Sequence, residues 1–128
     1  MNRRAVLILS SVLPLLPLAG LPAHAEPAAL TLVMFEQPGC TYCAAWNANV
    51  GPEYPLTDEG RAAPLHRVQL RDGIPEGMQM TSVPVFTPTF VLMGDGQELG
   101  RIEGYPGEDF FWGMLGAMLR DAGADLRR

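Results

Sequence analysis

The 128-residue chain contains no lysine. Its nine basic side chains are all arginine, and 14 Asp and Glu outweigh them to a formal charge of −5. An acidic balance of this kind argues against nucleic acid as a partner, because phosphate binding needs a basic patch. No basic amphipathic stretch occurs, which argues against binding along a membrane surface. Cysteine is equally scarce, with only Cys40 and Cys43, and histidine is limited to His24 and His66. Zinc takes four ligands, and two thiols with His66 fall short of that. Haem attachment requires His directly after the second cysteine, where Ala44 stands. The longest apolar stretch, residues 5–19, holds Ser10 and Ser11 and is interrupted by Pro14 and Pro17. Its unbroken run is too short to span a bilayer. There is no internal repeat and no low-complexity segment.

Residues 1–25 have the three-part layout of a secretory leader. Met1-Asn2-Arg3-Arg4 is basic, the apolar stretch follows, and Ala23-His24-Ala25 places small residues at both positions of a cleavage site. Cleavage after Ala25 is expected. The Arg3-Arg4 pair lies close to the start in poorly matching flanks, so it gives a twin-arginine route little support. The released chain, residues 26–128, is one domain of 103 residues with seven Arg against 14 acidic side chains. A domain this small has a modest core. Export to an oxidising compartment makes a disulfide chemically permissible.

Within that domain, residues 30–35 are almost continuously apolar, as suits a central strand covered on both faces. Glu36-Gln37-Pro38-Gly39 reads as a turn. A helix is predicted over 41–50, ended by Gly51-Pro52, with 53–56 as loop. Thr57 can cap a short helical turn that Pro64 stops. A second strand is predicted over 65–70, and 71–86 is a long connection holding Met78 and Met80. Residues 90–93 form a third strand, which Thr89 can begin. Gly94-Asp95-Gly96 turns the chain into a returning arm over 98–103. Phe110, Phe111, Met114, Leu115, Met118, Leu119 and Ala122 then recur at helical spacing. Glu108 and Asp109 sit in that helix's first turn, Arg120 lies near its end, and Gly123 offers a C-cap. A helical crossover between the first two strands makes them parallel. The closing hairpin adds an antiparallel pair, so the expected fold is α/β, a mixed sheet with helices on its faces.

Cys40-Thr41-Tyr42-Cys43 lies where the first strand hands over to a helix. A thiol there meets unpaired backbone N–H groups and the positive end of the helix dipole, and both favour thiolate. A redox dithiol is the first reading. A structural staple competes with it, although a disulfide closing so small a loop removes little chain entropy.

The motif after a strand, followed by Thr87-Pro88-Thr89 directly before the strand at 90–93, resembles the thioredoxin superfamily across nearly the whole mature chain. In that superfamily a cis-proline faces the disulfide and the backbone before it pairs with an extended substrate segment. The matching residues are Thr87 and Pro88. Without the motif upstream, Pro88 would read as an ordinary trans proline opening an edge strand. Gly104 matches a family glycine near the active site.

Spacing narrows the comparison. Only 44 residues separate Cys43 from Pro88, leaving no room for the helical insertion of DsbA-type oxidases. No DsbC-type dimerisation domain precedes the motif. The 14 residues from Glu26 to Gly39 are too few for thioredoxin's extra N-terminal strand and helix. The expected architecture is a minimal thioredoxin-like fold, a mixed four-stranded sheet flanked by helices. The run from Phe35 through Cys40 and Cys43 to Trp46 is similar to the SoxS-type periplasmic thioredoxins of bacterial sulfur oxidation.

That resemblance implies a periplasmic, monomeric thiol–disulfide oxidoreductase without organic cofactor or metal. Cys40 would be the nucleophile, Cys43 the resolving thiol, and Thr87 and Pro88 the substrate-docking residues. Tyr42 would bond a partner or pack at the rim. The implied partners are proteins with disulfides, among them a Sox sulfur-carrier protein, and a membrane electron donor of the DsbD or CcdA type. An oxidant or isomerase, and a non-enzymatic binding module with a structural disulfide, remain alternatives. One departure concerns proton transfer. Thioredoxin has a buried Asp six residues before its first cysteine, and here that residue is Met34. Glu36 is the nearest carboxylate in sequence, with a solvated turn residue as its plain reading. Core packing is the plain reading of Trp46, and His66 reads as a strand residue without a catalytic part. Met78 and Met80 fit either an adaptable contact surface or loop packing.

Overall fold

The apolar run at 30–35 forms β1 (Leu30–Glu36), one residue longer than expected. The computed structural model describes residues 20, 21 and 29–126, so the expected cleavage site after Ala25 lies outside the described residues. After β1 come α1 (Thr41–Asn49), a 3-10 turn (Tyr54–Leu56) and α2 (Asp58–Ala62). β2 (Leu65–Gln69) leads into a second 3-10 turn (Leu70–Asp72). β3 (Thr89–Gly94), β4 (Gln97–Glu103) and α3 (Glu108–Asp121) complete the order. Among the described residues no helix is long and apolar enough to cross a membrane.

The strands form one mixed four-stranded sheet in the order β2-β1-β3-β4. β1 runs parallel to β2 and antiparallel to β3, and β3 runs antiparallel to β4. The continuous hydrophobicity of β1 and β3 follows from their central places, since each has sheet neighbours on both edges and cover on both faces. Met34 pairs with Phe90 and Leu32 with Leu92, and these four point into one core layer. Cys43 and Trp46 from α1, Tyr54 and Ala63 around α2, and Phe111, Leu115 and Leu119 from α3 close that layer. Burying each of the large apolar side chains stabilises by about 1.5–3 kcal/mol.

The opposite face, Val33, Phe35, Val91 and Met93, is covered by Val68, Leu70, Met78 and Met80. Loop packing is therefore what Met78 and Met80 do. The connection that carries them runs along β4. Gln79 N–H donates to Gly96 O at 2.7 Å and Glu98 N–H to Gln79 O at 3.0 Å. Glu98 accepts from Thr81 N–H at 2.9 Å and from Arg101 Nε at 2.6 Å. Arg101 Nη2 also donates to Ser82 O at 2.8 Å. A segment without local periodicity thus takes its conformation from cross-strand partners.

Three local expectations shift. Residues 54–56 are a 3-10 turn rather than loop, because Tyr54 is buried and its hydroxyl donates to Ala63 O at 2.6 Å. Leu70 leaves the strand to begin the second turn and pack under the sheet. On α3 the buried stripe is Phe111, Leu115 and Leu119, while Phe110 and Met114 stay exposed. Each of those two precedes a buried residue by one position, which swings it about 100° away from the sheet. Thr57 caps α2 as expected, its Oγ1 accepting from Gly60 N–H at 3.0 Å.

Candidate active site

The local sequence builds the dithiol in two moves. Gln37-Pro38-Gly39-Cys40 closes a turn in which Cys40 N–H donates to Gln37 O at 3.3 Å. Gly39 sits at φ +77°, a left-handed conformation that suits glycine after proline in such a turn. Cys40 is then the N-cap of α1, with extended backbone, and its Sγ accepts from Cys43 N–H at 3.1 Å. This is the place a Ser or Asp oxygen takes in an ordinary cap. In the reduced chain the same N–H and the helix dipole favour a Cys40 thiolate.

Cys40 and Cys43 are joined as a disulfide, with Cα atoms 5.2 Å apart. The two sulfurs differ in access. Cys40 is partly exposed, whereas Cys43 is 4% exposed and belongs to the core. One thiol can meet a partner and the other can meet only its neighbour. Tyr42 between them is 65% exposed and makes no hydrogen bond to the described residues.

The Thr87–Pro88 peptide bond is cis and Pro88 is buried. Thr89 Oγ1 donates to Phe86 O at 2.8 Å and closes the turn around the proline. Gly104 N–H donates to Pro88 O at 2.7 Å, which gives Gly104 a definite place in holding this loop. Gln37 Nε2 donates to Thr87 Oγ1 at 2.8 Å, so the turn before the cysteines and the turn before β3 are bonded across 50 positions. The segment leading to Thr87 is apolar yet open to water, with Val85 69% and Phe86 61% exposed.

A second cluster lies beside α1. Arg67, on β2, donates from Nη1 to Glu36 Oε2 at 2.6 Å and from Nη2 to Asn47 Oδ1 at 2.9 Å. Its guanidinium stands 5.7 Å from the centroid of the Trp46 ring, within cation–π range. Trp46 is fully buried against Phe90 and Phe111, as its plain reading required. Glu36 is not a solvated turn residue. It ends β1 with its side chain 20% exposed, because Arg67 holds it against the sheet edge. A hollow of about 470 Å³ beside the disulfide is lined by Glu36, Gln37, Cys40, Cys43 and Asn47 among others. His66 lies exposed on β2. Among the described residues no group of three or more His, Cys, Asp or Glu gathers as a metal site.

Sequence reasoning missed Gln37, Asn47, Arg67, Val85 and Phe86. Gln37, Asn47 and Arg67 act through bonds to residues far away in the chain, which leave no local pattern. For Val85 and Phe86 there was a readable cue, two large apolar residues in a proline-punctuated loop directly before Thr87-Pro88.

Comparison with known proteins agrees with this geometry. The family model for a thioredoxin-like domain matches residues 22–119. The crystal structure of the periplasmic thioredoxin SoxS from Paracoccus pantotrophus, in its reduced form, is 60% identical. That match covers 73% of this chain and 98% of the other, with a TM-score of 0.71. Thioredoxin from Fasciola hepatica shares the fold at 19% identity, covering 71% of this chain and 82% of its own, with a TM-score of 0.50. No curated protein matches the chain.

Proposed function

The chain belongs to the thioredoxin-like family and is a thiol–disulfide oxidoreductase, and from that premise we propose that it reduces disulfides of partner proteins in the periplasm. The observation that carries the reading is the asymmetric pair, a partly exposed Cys40 capping α1 and a buried Cys43 one turn on. Cys40 thiolate attacks one sulfur of a partner disulfide and releases the other as thiolate. Cys43 then attacks Cys40 Sγ, the partner's second sulfur leaves, and the Cys40–Cys43 disulfide remains. Two electrons pass to the partner, and no cofactor or metal takes part.

Thr87 and Pro88, with the exposed Val85 and Phe86 just before them in the chain and the exposed Tyr42 between the cysteines, would form the docking surface for an extended partner segment. The likeness to a periplasmic thioredoxin supports the compartment and the dithiol exchange, and the reductant direction is part of the proposal. The finer proposal is that one partner is a sulfur-carrier protein of thiosulfate oxidation. Residues 1–25 would direct export and be removed after Ala25. A reductase in an oxidising compartment must itself be re-reduced, and a membrane donor of the DsbD or CcdA type would serve. The domain would act as a monomer.

Trapping tests the exchange. A Cys43→Ser variant cannot resolve, so a covalent adduct through Cys40 accumulates and names the partner. If no adduct forms, and both single-cysteine variants work in cells, exchange is refuted. Equilibration with glutathione tests direction. A potential near the DsbA value of about −120 mV would make the protein an oxidant.

A further inference from the structure

We propose that Glu36 is the proton acceptor for Cys43 and that Arg67 is its positioning residue, an inference that rests on the dithiol-exchange reading. Cys43 is 4% exposed, and a buried thiol yields its thiolate reluctantly. Its attack on Cys40 therefore needs a base. Glu36 is the one carboxylate lining the hollow that Cys43 also lines. Its Oε2 is fixed by Arg67, while its Oε1 accepts no hydrogen bond from the described residues. Arg67 is itself held by two neighbouring residues of α1, the Asn47 side-chain oxygen and the face of Trp46. One carboxylate oxygen is anchored and the other is free to take a proton. The hollow, about 470 Å³, is open to solvent and has room for a water to relay that proton.

The charged and titratable groups facing Glu36 are Arg67 and His66 from β2, Asp72 from the turn after it, and Cys40 and Cys43 at the start of α1. In the step proposed, the Cys43 S–H proton passes to Glu36. The Cys43 thiolate bonds to Cys40 Sγ, the bond from Cys40 to the partner sulfur breaks, and that sulfur leaves as thiolate. Glu36 then returns the proton to the leaving sulfur or to water.

The test uses the reduced protein and 5,5′-dithiobis(2-nitrobenzoate), whose two equivalents of thionitrobenzoate report separately on attack by Cys40 and resolution by Cys43. Glu36→Gln keeps the size and an acceptor for Arg67 but removes the base. It should leave the first release unchanged and slow the second by about 100-fold at pH 7. The deficit should shrink steadily as pH rises into the alkaline range, where hydroxide increasingly takes over the deprotonation of Cys43. Added formate should restore the second release in Glu36→Ala, and Arg67→Met should slow it with the same pH dependence. A second release within twofold of the parent at every pH in Glu36→Gln, or an equal deficit at every pH without formate rescue, overturns the proposal. Failure of the underlying reading would look different, with no second equivalent released by the parent protein itself.

Discussion

Removing the Tyr54 hydroxyl should change how stability depends on pH, and the sign follows from where the phenol sits. Tyr54 is fully buried between α1 and α2 and donates to Ala63 O at 2.6 Å. Burial first, and the nearby Glu59 second, push its pKa well above the ordinary value of 10.0. The neutral phenol is thus favoured in the folded chain. Its contribution is fully present below pH 10 and is lost as pH rises beyond that, because the unfolded phenol ionises while the folded one does not. One pH unit above the unfolded value, the loss is about 1.4 kcal/mol. Tyr54→Phe lacks this alkaline slope, but at pH 8 it leaves the Ala63 carbonyl unpaired at a cost of about 1–3 kcal/mol. The gap between parent and variant should therefore narrow by about 1.4 kcal/mol between pH 8 and pH 11. Urea unfolding of the oxidised protein at both pH values, at constant ionic strength, measures it. The absence of lysine removes the commonest alkaline-titrating side chain from the curve. An equal alkaline loss in parent and variant would refute the assignment.

Gly60→Ala should destabilise without touching the chemistry. A Cβ at Gly60 would lie within bonding range of the Tyr54 carbonyl oxygen, a backbone atom that cannot rotate away. The expected cost is about 1–3 kcal/mol in urea unfolding, with the rate of the first thionitrobenzoate release unchanged. Gln37→Ala and Thr87→Val each delete the 2.8 Å bond between the two turns at the site. Both partners are at least partly exposed, so stability should move by no more than about 0.5 kcal/mol. Turnover of insulin disulfides should show a raised KM, and an unchanged KM would separate that bond from docking.

Much of the site was legible because the chemistry is written in short-range order. A C-x-x-C after an apolar strand fixes a helix N-terminus, and Thr87-Pro88 before a second strand fixes the turn beside it. β1 and β3 announce their central places by unbroken hydrophobicity, and the α3 stripe by its period. Arg67 was not legible. Its partners Glu36 and Asn47 lie 31 and 20 positions away on other elements. From sequence it is one polar residue in an imperfectly alternating strand. Glu36 was misplaced for the same reason, since only the parallel register with β2 brings Arg67 to it. Tyr54 hid behind Pro52 and Pro55, whose punctuation reads as loop although the tyrosine is pinned by Ala63.

The segment between β2 and β3 serves two masters on its two sides. Met78 and Met80 are turned inward and roof the sheet layer of Val33, Phe35, Val91 and Met93, while Val85 and Phe86 are turned outward beside Thr87. No helix separates these two parts, so the proposed docking surface and the roof share one length of backbone. Thermodynamic linkage then runs both ways. A partner gripping Phe86 and Thr87 also steadies the roof. A methionine oxidised to its sulfoxide under that roof would loosen the grip from behind, with the dithiol itself intact.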